Sequence, residues 1–211
     1  MGLPIMTTPD YNEADDHLLM QRAQGGDLAA FNAIVERHQK HAYNLALSIL
    51  RDPSAAEDAT QEGFFSAYRA MGRFNGGNLR SWLLTIVANR CRDVLRSPQR
   101  KRNSSLEAFT EAGDPGGIWR DPSHTPEEAA LQNETVNTVH AALAKLPEDQ
   151  RLIISLVDLQ GMDYEEAARI TNVSLGTVKS RLSRGRDRLR TVLRPILELS
   201  GDLPRPDEGK G

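Results

Sequence analysis

Seven basic side chains fall between Ser174 and Arg194, namely Lys179, Arg181, Arg184, Arg186, Arg188, Arg190 and Arg194, against one acid, Asp187. Guanidinium and ammonium groups stay charged near neutrality and bond phosphate oxygens, so this density is the footprint of a phosphate-contacting element. A solvated basic helix face is the plain alternative. Turning each residue by about 100° places Val178, Leu182, Gly185, Leu189 and Val192 on one side. Lys179, Ser180, Ser183, Arg184 and Asp187 fall opposite, with Arg181, Arg186 and Arg188 flanking. A merely solvated helix more often mixes Glu with Lys at i,i+4, and here Asp187 stands alone. Polar groups able to read base edges therefore share the outward face, with guanidinium groups at its margins for phosphates.

What precedes this helix supports the nucleic-acid reading. Asp163 to Ile170 is a short helix with an acidic start, which suits the helix dipole. Thr171-Asn172-Val173-Ser174 is a tight turn that places Ser174 as N-cap of the basic helix. Two helices on so short a turn, the second basic, form a helix-turn-helix.

A second constellation has the opposite sign. Asp58, Gln61, Glu62, Phe65 and Arg69 lie at i, i+3, i+4, i+7 and i+11, hence on one helix face. Ala56, Thr60, Gly63, Phe64, Ala67 and Met71 occupy the other. An aromatic among charges on the outward side points to a protein partner.

The elements that position these residues are helical throughout. Period-2 runs are absent and aromatics are only 5%, so the fold is predicted to be all-α, in two small lobes joined by a flexible linker. Residues 17–51 read as two helices broken at Gly25-Gly26-Asp27. Asp52 caps a third with Pro53 at its first position, running to about Met71, and a fourth spans about Leu79 to Arg96. Residues 98–126 carry four prolines and little apolar periodicity, the composition of a linker. The second lobe is expected over 127–199, in helices near 127–144, 148–159, 163–171 and 175–198. Residues 1–16 and 200–211 read as disordered ends.

Several functions are excluded. The net charge of −3 over 211 residues hides the segregation described above. There is no apolar run of about 18 residues and no basic-then-apolar leader, so neither a membrane span nor a secretion signal is expected. Cys91 is the single cysteine, which fits a reducing cytoplasm. His38 and His41 with a distant Cys91 fall short of a metal set, and no nucleophile, phosphate loop or cofactor motif occurs. The chain is therefore read as a non-enzyme without cofactor, a monomer when free of partners.

The motifs then resemble a known family. Leu146-Pro147-Glu148-Asp149-Gln150-Arg151, Gly161 to Ala168 and Gly176 to Arg186 look like region 4 of extracytoplasmic-function (ECF) sigma factors, in the sigma-70 family and of the RpoE-like type. Asp52 to Phe65 resembles region 2.2, the polymerase-docking helix. Phe74 to Leu84 and Ala88 to Arg96 look like regions 2.3 and 2.4, which open the −10 element and hold it as single strand. The resemblance covers roughly residues 17–97 and 127–194. It implies a factor that binds core RNA polymerase, directs promoter-specific initiation and is restrained by an anti-sigma factor, which can hold it at the membrane.

Carried over by position, polymerase contacts fall to Asp58, Gln61, Glu62 and Phe65. The −10 strand falls to Phe74, Asn78, Arg80, Asn89, Arg90, Arg92 and Arg96. A flexible Gly76-Gly77 loop and the basic Arg100-Lys101-Arg102 extend that site. Trp82 begins an apolar stripe with Ile86 and is read as core rather than as a stacking platform. The −35 duplex falls to Ser174, Thr177, Lys179, Ser180, Arg181, Ser183 and Arg184, with Arg188 at the margin on phosphate. Gly185 departs from the family's usual alanine and should soften the helix by about 1 kcal/mol. Two alternatives stay open: a sigma-like mimic that sequesters an anti-sigma factor, and a stand-alone helix-turn-helix regulator.

Overall fold

The computed structural model describes residues 11, 14–97 and 137–199, with side chains to 195. The expected linker at 98–126, the tail at 200–211, most of the N-terminal segment and Arg100-Lys101-Arg102 lie outside the described residues.

Among the described residues every regular element is a helix, as predicted. The first group comprises α1 (Asp16–Gln24), α2 (Leu28–Leu50), α3 (Pro53–Ala70), a 3-10 turn (Met71–Arg73) and α4 (Leu79–Arg96). The second comprises α5 (residues 137–144), α6 (Glu148–Ile154) running into a π turn (Ser155–Leu159), α7 (Tyr164–Thr171) and α8 (Leu175–Leu199).

Short polar side chains start most of these helices. Asp15, Asp27, Asp52 and Asn78 accept from first-turn amides of α1 to α4, and Pro53 opens α3 where its missing N–H costs nothing. Arg51 closes α2 in the left-handed region, at φ 60°. Tyr11 and Ala14, inside the segment expected to be disordered, are instead tied down. The Tyr11 hydroxyl donates to Asp27 at 2.7 Å, and Arg37 donates to the Ala14 carbonyl at 2.9 Å and to Asp16 at 2.8 Å.

Helices α2, α3 and α4 pack mutually around Ile34, Leu45, Ile49, Leu83 and Leu84. α3 and α4 approach closely at Gly63, where a Cβ would stand 2.7 Å from Val87 Cγ2. Trp82 is half-buried against this core with its ring 5.3 Å from Phe74. In the second group Ile153, Ile154, Leu156, Val178 and Leu182 are buried between α6 and α8. The two groups are not separate bodies. α2 packs on α6 and the π turn, α4 touches α7, and the buried apolar residues form one continuous cluster.

Candidate nucleic-acid interface

The helix-turn-helix forms as expected. α7 opens with a capping box, in which Asp163 accepts from the Glu166 amide at 2.6 Å and Glu166 returns a carboxylate to the Asp163 N–H. Asn172 ends α7 in the left-handed conformation, at φ 55°, which a short polar side chain tolerates. Ser174 then caps α8, accepting from the Thr177 N–H at 3.2 Å, with its hydroxyl 2.9 Å from that of Thr177. These bonds fix the entry angle of the basic helix.

On α8, Val178, Leu182 and Gly185 are buried and Leu189 is half-buried, while Lys179, Ser180, Ser183, Arg184 and Asp187 are exposed. The seven cations are not equivalent. Arg186 forks onto Asp158 (3.0 and 2.6 Å), a bond that raises its pKa further above arginine's ordinary value. Arg181 pairs with Asp149 at 3.0 Å, and Arg190 with Asp187 at 2.9 Å. Among the described residues no ion pair engages Lys179, Arg184 or Arg188. Arg184 lies along the helix, donating to the Ser180 carbonyl at 3.2 Å, which holds its guanidinium beside the Ser180 hydroxyl. Available positive charge is thus concentrated on the outward face.

Gly185 acquires a reason the sequence did not supply. A Cβ there would meet Ile154 Cγ1 at 2.9 Å and Gln150 Cβ at 3.5 Å, so the missing side chain lets α8 lie close on α6.

On α3 the four residues read as a partner surface, Asp58, Gln61, Glu62 and Phe65, are all exposed, Phe65 by 67%. Sequence reasoning missed what they border. A groove of about 400 Å³ between α2 and α3 is lined by Leu28, Phe31, Val35, Phe64, Phe65 and Tyr68, of which Leu28 is 58% and Tyr68 43% exposed. Phe65 and Tyr68 at i,i+3 were the available signal; Leu28 and Phe31 come from a helix the face analysis did not include.

The residues assigned to the −10 strand divide. Asn78, Asn89 and Arg96 are exposed and Phe74 is half-buried. Asn78 caps α4 through the Ser81 N–H at 3.0 Å, so it positions that helix whatever else it does. Gly76 and Gly77 take φ of 98° and 93°, the left-handed backbone that lets the loop turn here. Gln24, which sequence reasoning passed over, staples this loop from α1 by donating to the carbonyls of Met71 (2.7 Å) and Phe74 (2.9 Å). Arg90 is ion-paired with Glu62, linking the α4 site to the α3 face. Arg80 and Arg92 turn toward the second group, Arg80 donating to Gln160 Oε1 at 3.1 Å and Arg92 to the Ile170 carbonyl.

Comparison with known proteins decides the family. Residues 34–102 match the family model for Sigma-70 region 2, and residues 137–189 that for Sigma-70, region 4. The chain is 32% identical to the RNA polymerase sigma-H factor of Pseudomonas aeruginosa over 187 residues, covering 88% of this chain and 97% of that protein.

The chain belongs to the ECF sigma factors of the sigma-70 family.

It is also 35% identical to the ECF RNA polymerase sigma-E factor of Escherichia coli, over 86% of this chain and 96% of that one. Among solved structures it resembles the sigma factor RpoE of Bartonella quintana, crystallised with the anti-sigma factor NepR, at 29% identity and a TM-score of 0.58, covering 78% of this chain and 96% of that one. It also resembles CnrH in complex with the cytosolic domain of CnrY, at 25% identity and a TM-score of 0.57, covering 85% and 97%. Sigma factors are initiation factors rather than enzymes, so this one needs no catalytic constellation. No helix among the described residues is long and apolar enough to cross a membrane.

Proposed function

We propose that this ECF sigma factor docks on core RNA polymerase through the outward face of α3 and directs promoter-specific initiation, reading the −35 duplex with α8 and holding the melted −10 strand with α4 and the loop before it. The observation that carries the proposal is the opposite character of two exposed helix faces in one chain. Asp58, Gln61, Glu62 and Phe65 offer acid and an aromatic beside an apolar groove, which suits a basic protein surface and repels phosphate. Lys179, Ser180, Ser183 and Arg184 offer unpaired cations and short hydroxyls at the entry of a helix-turn-helix, which suits a major groove.

On α4, Arg96 supplies a phosphate contact, Arg90 and Arg92 do so on leaving Glu62 and the Ile170 carbonyl, and Phe74, Asn78 and Asn89 receive an unstacked base. Arg188 contributes sequence-blind phosphate contact, and Arg181, although paired with Asp149, borders the reading face. An anti-sigma factor is the expected inhibitor, because the resembling CnrH and RpoE were each solved with a protein partner, RpoE's being an anti-sigma factor.

The basic α8 face argues against a mimic that only sequesters an anti-sigma factor, and the α3 face argues against a stand-alone regulator. Purified chain added to core polymerase tests the proposal by promoter-specific transcripts and by permanganate reactivity of melted thymines. Asn78 or Arg80 substitutions should slow melting and leave duplex binding intact. Transcription no better than core polymerase alone would refute it.

A further inference from the structure

Gln24 is the last residue of α1, and its side-chain amide spends both N–H groups on the segment before α4. Nε2 donates to the Met71 carbonyl at 2.7 Å and to the Phe74 carbonyl at 2.9 Å. These carbonyls stand at the two ends of one turn, because the Phe74 N–H also donates to Met71, at 3.0 Å, and closes the 3-10 turn. The staple thus fixes where Phe74 leaves the turn, in extended backbone with its ring 5.3 Å from that of Trp82. Beyond it no described residue hydrogen-bonds Asn75, Gly76 or Gly77, and the next anchor is Asn78 on the Ser81 N–H. α1 is itself held fast. Asp16 pairs with Arg37 at 2.8 Å and with His38 at 3.0 Å, both on α2, and Leu19, Met20 and Ala23 are buried.

We infer that Gln24 is a positioning residue for the −10 strand, through which α1 takes part in base capture without touching DNA. Gln24 is exposed, and a change at an exposed site usually moves global stability little. What its two bonds decide is how much of the time the segment carrying Phe74 and the glycine turn holds one geometry. Without them the segment must be ordered when the strand binds, and that entropy is subtracted from affinity. The cost falls on reading a base, which needs Phe74 in place. It does not fall on phosphate contact, which Arg96 makes from the regular helix α4. The inference rests on the proposed assignment of Phe74 and the loop after it to the −10 strand.

The test uses full-length chain assembled with core polymerase. The probes are a single-stranded oligodeoxynucleotide selected from a randomised pool by the wild-type holoenzyme, and a scrambled strand of the same composition. Gln24→Met keeps length and neutrality but removes both donors. It should bind the selected strand roughly ten-fold more weakly, the worth of one or two neutral hydrogen bonds, and the scrambled strand as before. Gln24→Lys, which restores a donor within reach of the carbonyls, should recover the preference; its added charge acts on both strands alike and drops out of the ratio. An unchanged ratio in the methionine variant overturns the inference, and equal loss on both strands does the same. So does a lysine variant as indiscriminate as the methionine one. A wild-type holoenzyme that selects no preferred strand overturns the −10 assignment itself and this inference with it, whereas discrimination by both wild type and Gln24→Met counts only against Gln24.

Discussion

On α3 the solvent side carries Asp58, Gln61, Glu62 and Phe65; on α8 it carries Lys179, Ser180, Ser183 and Arg184. Both helices bury a stripe of small and apolar residues, Ala59, Gly63 and Ala67 on one and Val178, Leu182 and Gly185 on the other. Helical periodicity alone would therefore make the two faces interchangeable. What separates them is the sign of the charge and how much of it is already used. Glu62 is spent on Arg90, and three of the α8 arginines are spent on Asp149, Asp158 and Asp187. A charge run counts as a binding surface only after its internal pairs are subtracted.

Reversing the α3 charge has the largest expected effect. Asp58→Lys with Glu62→Lys is expected to abolish assembly with core polymerase, since like charges brought together in an interface cost several kcal/mol. Because Glu62 holds Arg90, the Asp58→Lys single variant separates docking from damage to the α4 site. Size-exclusion co-elution with core polymerase reads both. Undiminished assembly of the double variant would move the docking face elsewhere.

The groups also differ in how they bury a histidine. Both His38 in α2 and His140 in α5 are buried with Nδ1 unpartnered, and burial lowers the pKa of both; Asp16, 3.0 Å from His38 Nε2, opposes that lowering, whereas burial alone holds His140 down to about 4. The neutral form is the one that folds, so His140's contribution is complete above pH 6.5, the unfolded value, and is lost as pH falls toward 4. The loss is on the order of 3 kcal/mol, with no further decline from this group below that window. Urea unfolding of the full chain from pH 7 to 4 checks it, and His140→Leu should flatten the curve. An unchanged slope in that variant would assign the acid sensitivity to other groups.

Within α8, Arg184→Ala should relax preference among −35 variants by about 1–3 kcal/mol at the preferred base pair. Arg188→Ala should weaken all sequences alike and lower the salt slope by about one contact. Equal sequence-blind losses would mean the helix is rotated from the orientation proposed.

The smallest effect comes from Gly185→Ala. Helix propensity favours alanine by about 1 kcal/mol, but crowding against Ile154 costs about 1–3 kcal/mol, so a net loss near 1 kcal/mol is expected. A rise in Tm would show that propensity wins and that α6 and α8 yield easily.

Much of this was legible because it is local. The break at Gly25-Gly26-Asp27, the cap at Asp52-Pro53, the turn at Thr171–Ser174 and the inward stripe of α8 all rest on residues within one or two helical turns of each other. The four α3 residues were legible as one face for the same reason. The groove beside them was not, since half of its wall comes from Leu28, Phe31 and Val35 on α2. Gly185 was legible only as a weak point in a helix; that it is a contact point needs Ile154.

The helical elements, the helix-turn-helix and the opposite charge of the two outward faces are set locally, because caps, turns and periodicity act over a few residues and charge needs no partner to be counted. Which of those charges are available depends on packing between distant helices. Arg186 meets Asp158 from 28 residues away, Arg92 meets Ile170 from 78, Arg80 meets Gln160 from 80, and Ser48 meets Ser155 from 107. No propensity or spacing encodes such pairings. They follow from which helix faces are driven together when the apolar stripes of both groups are buried in one core, and that is a property of the packed chain as a whole.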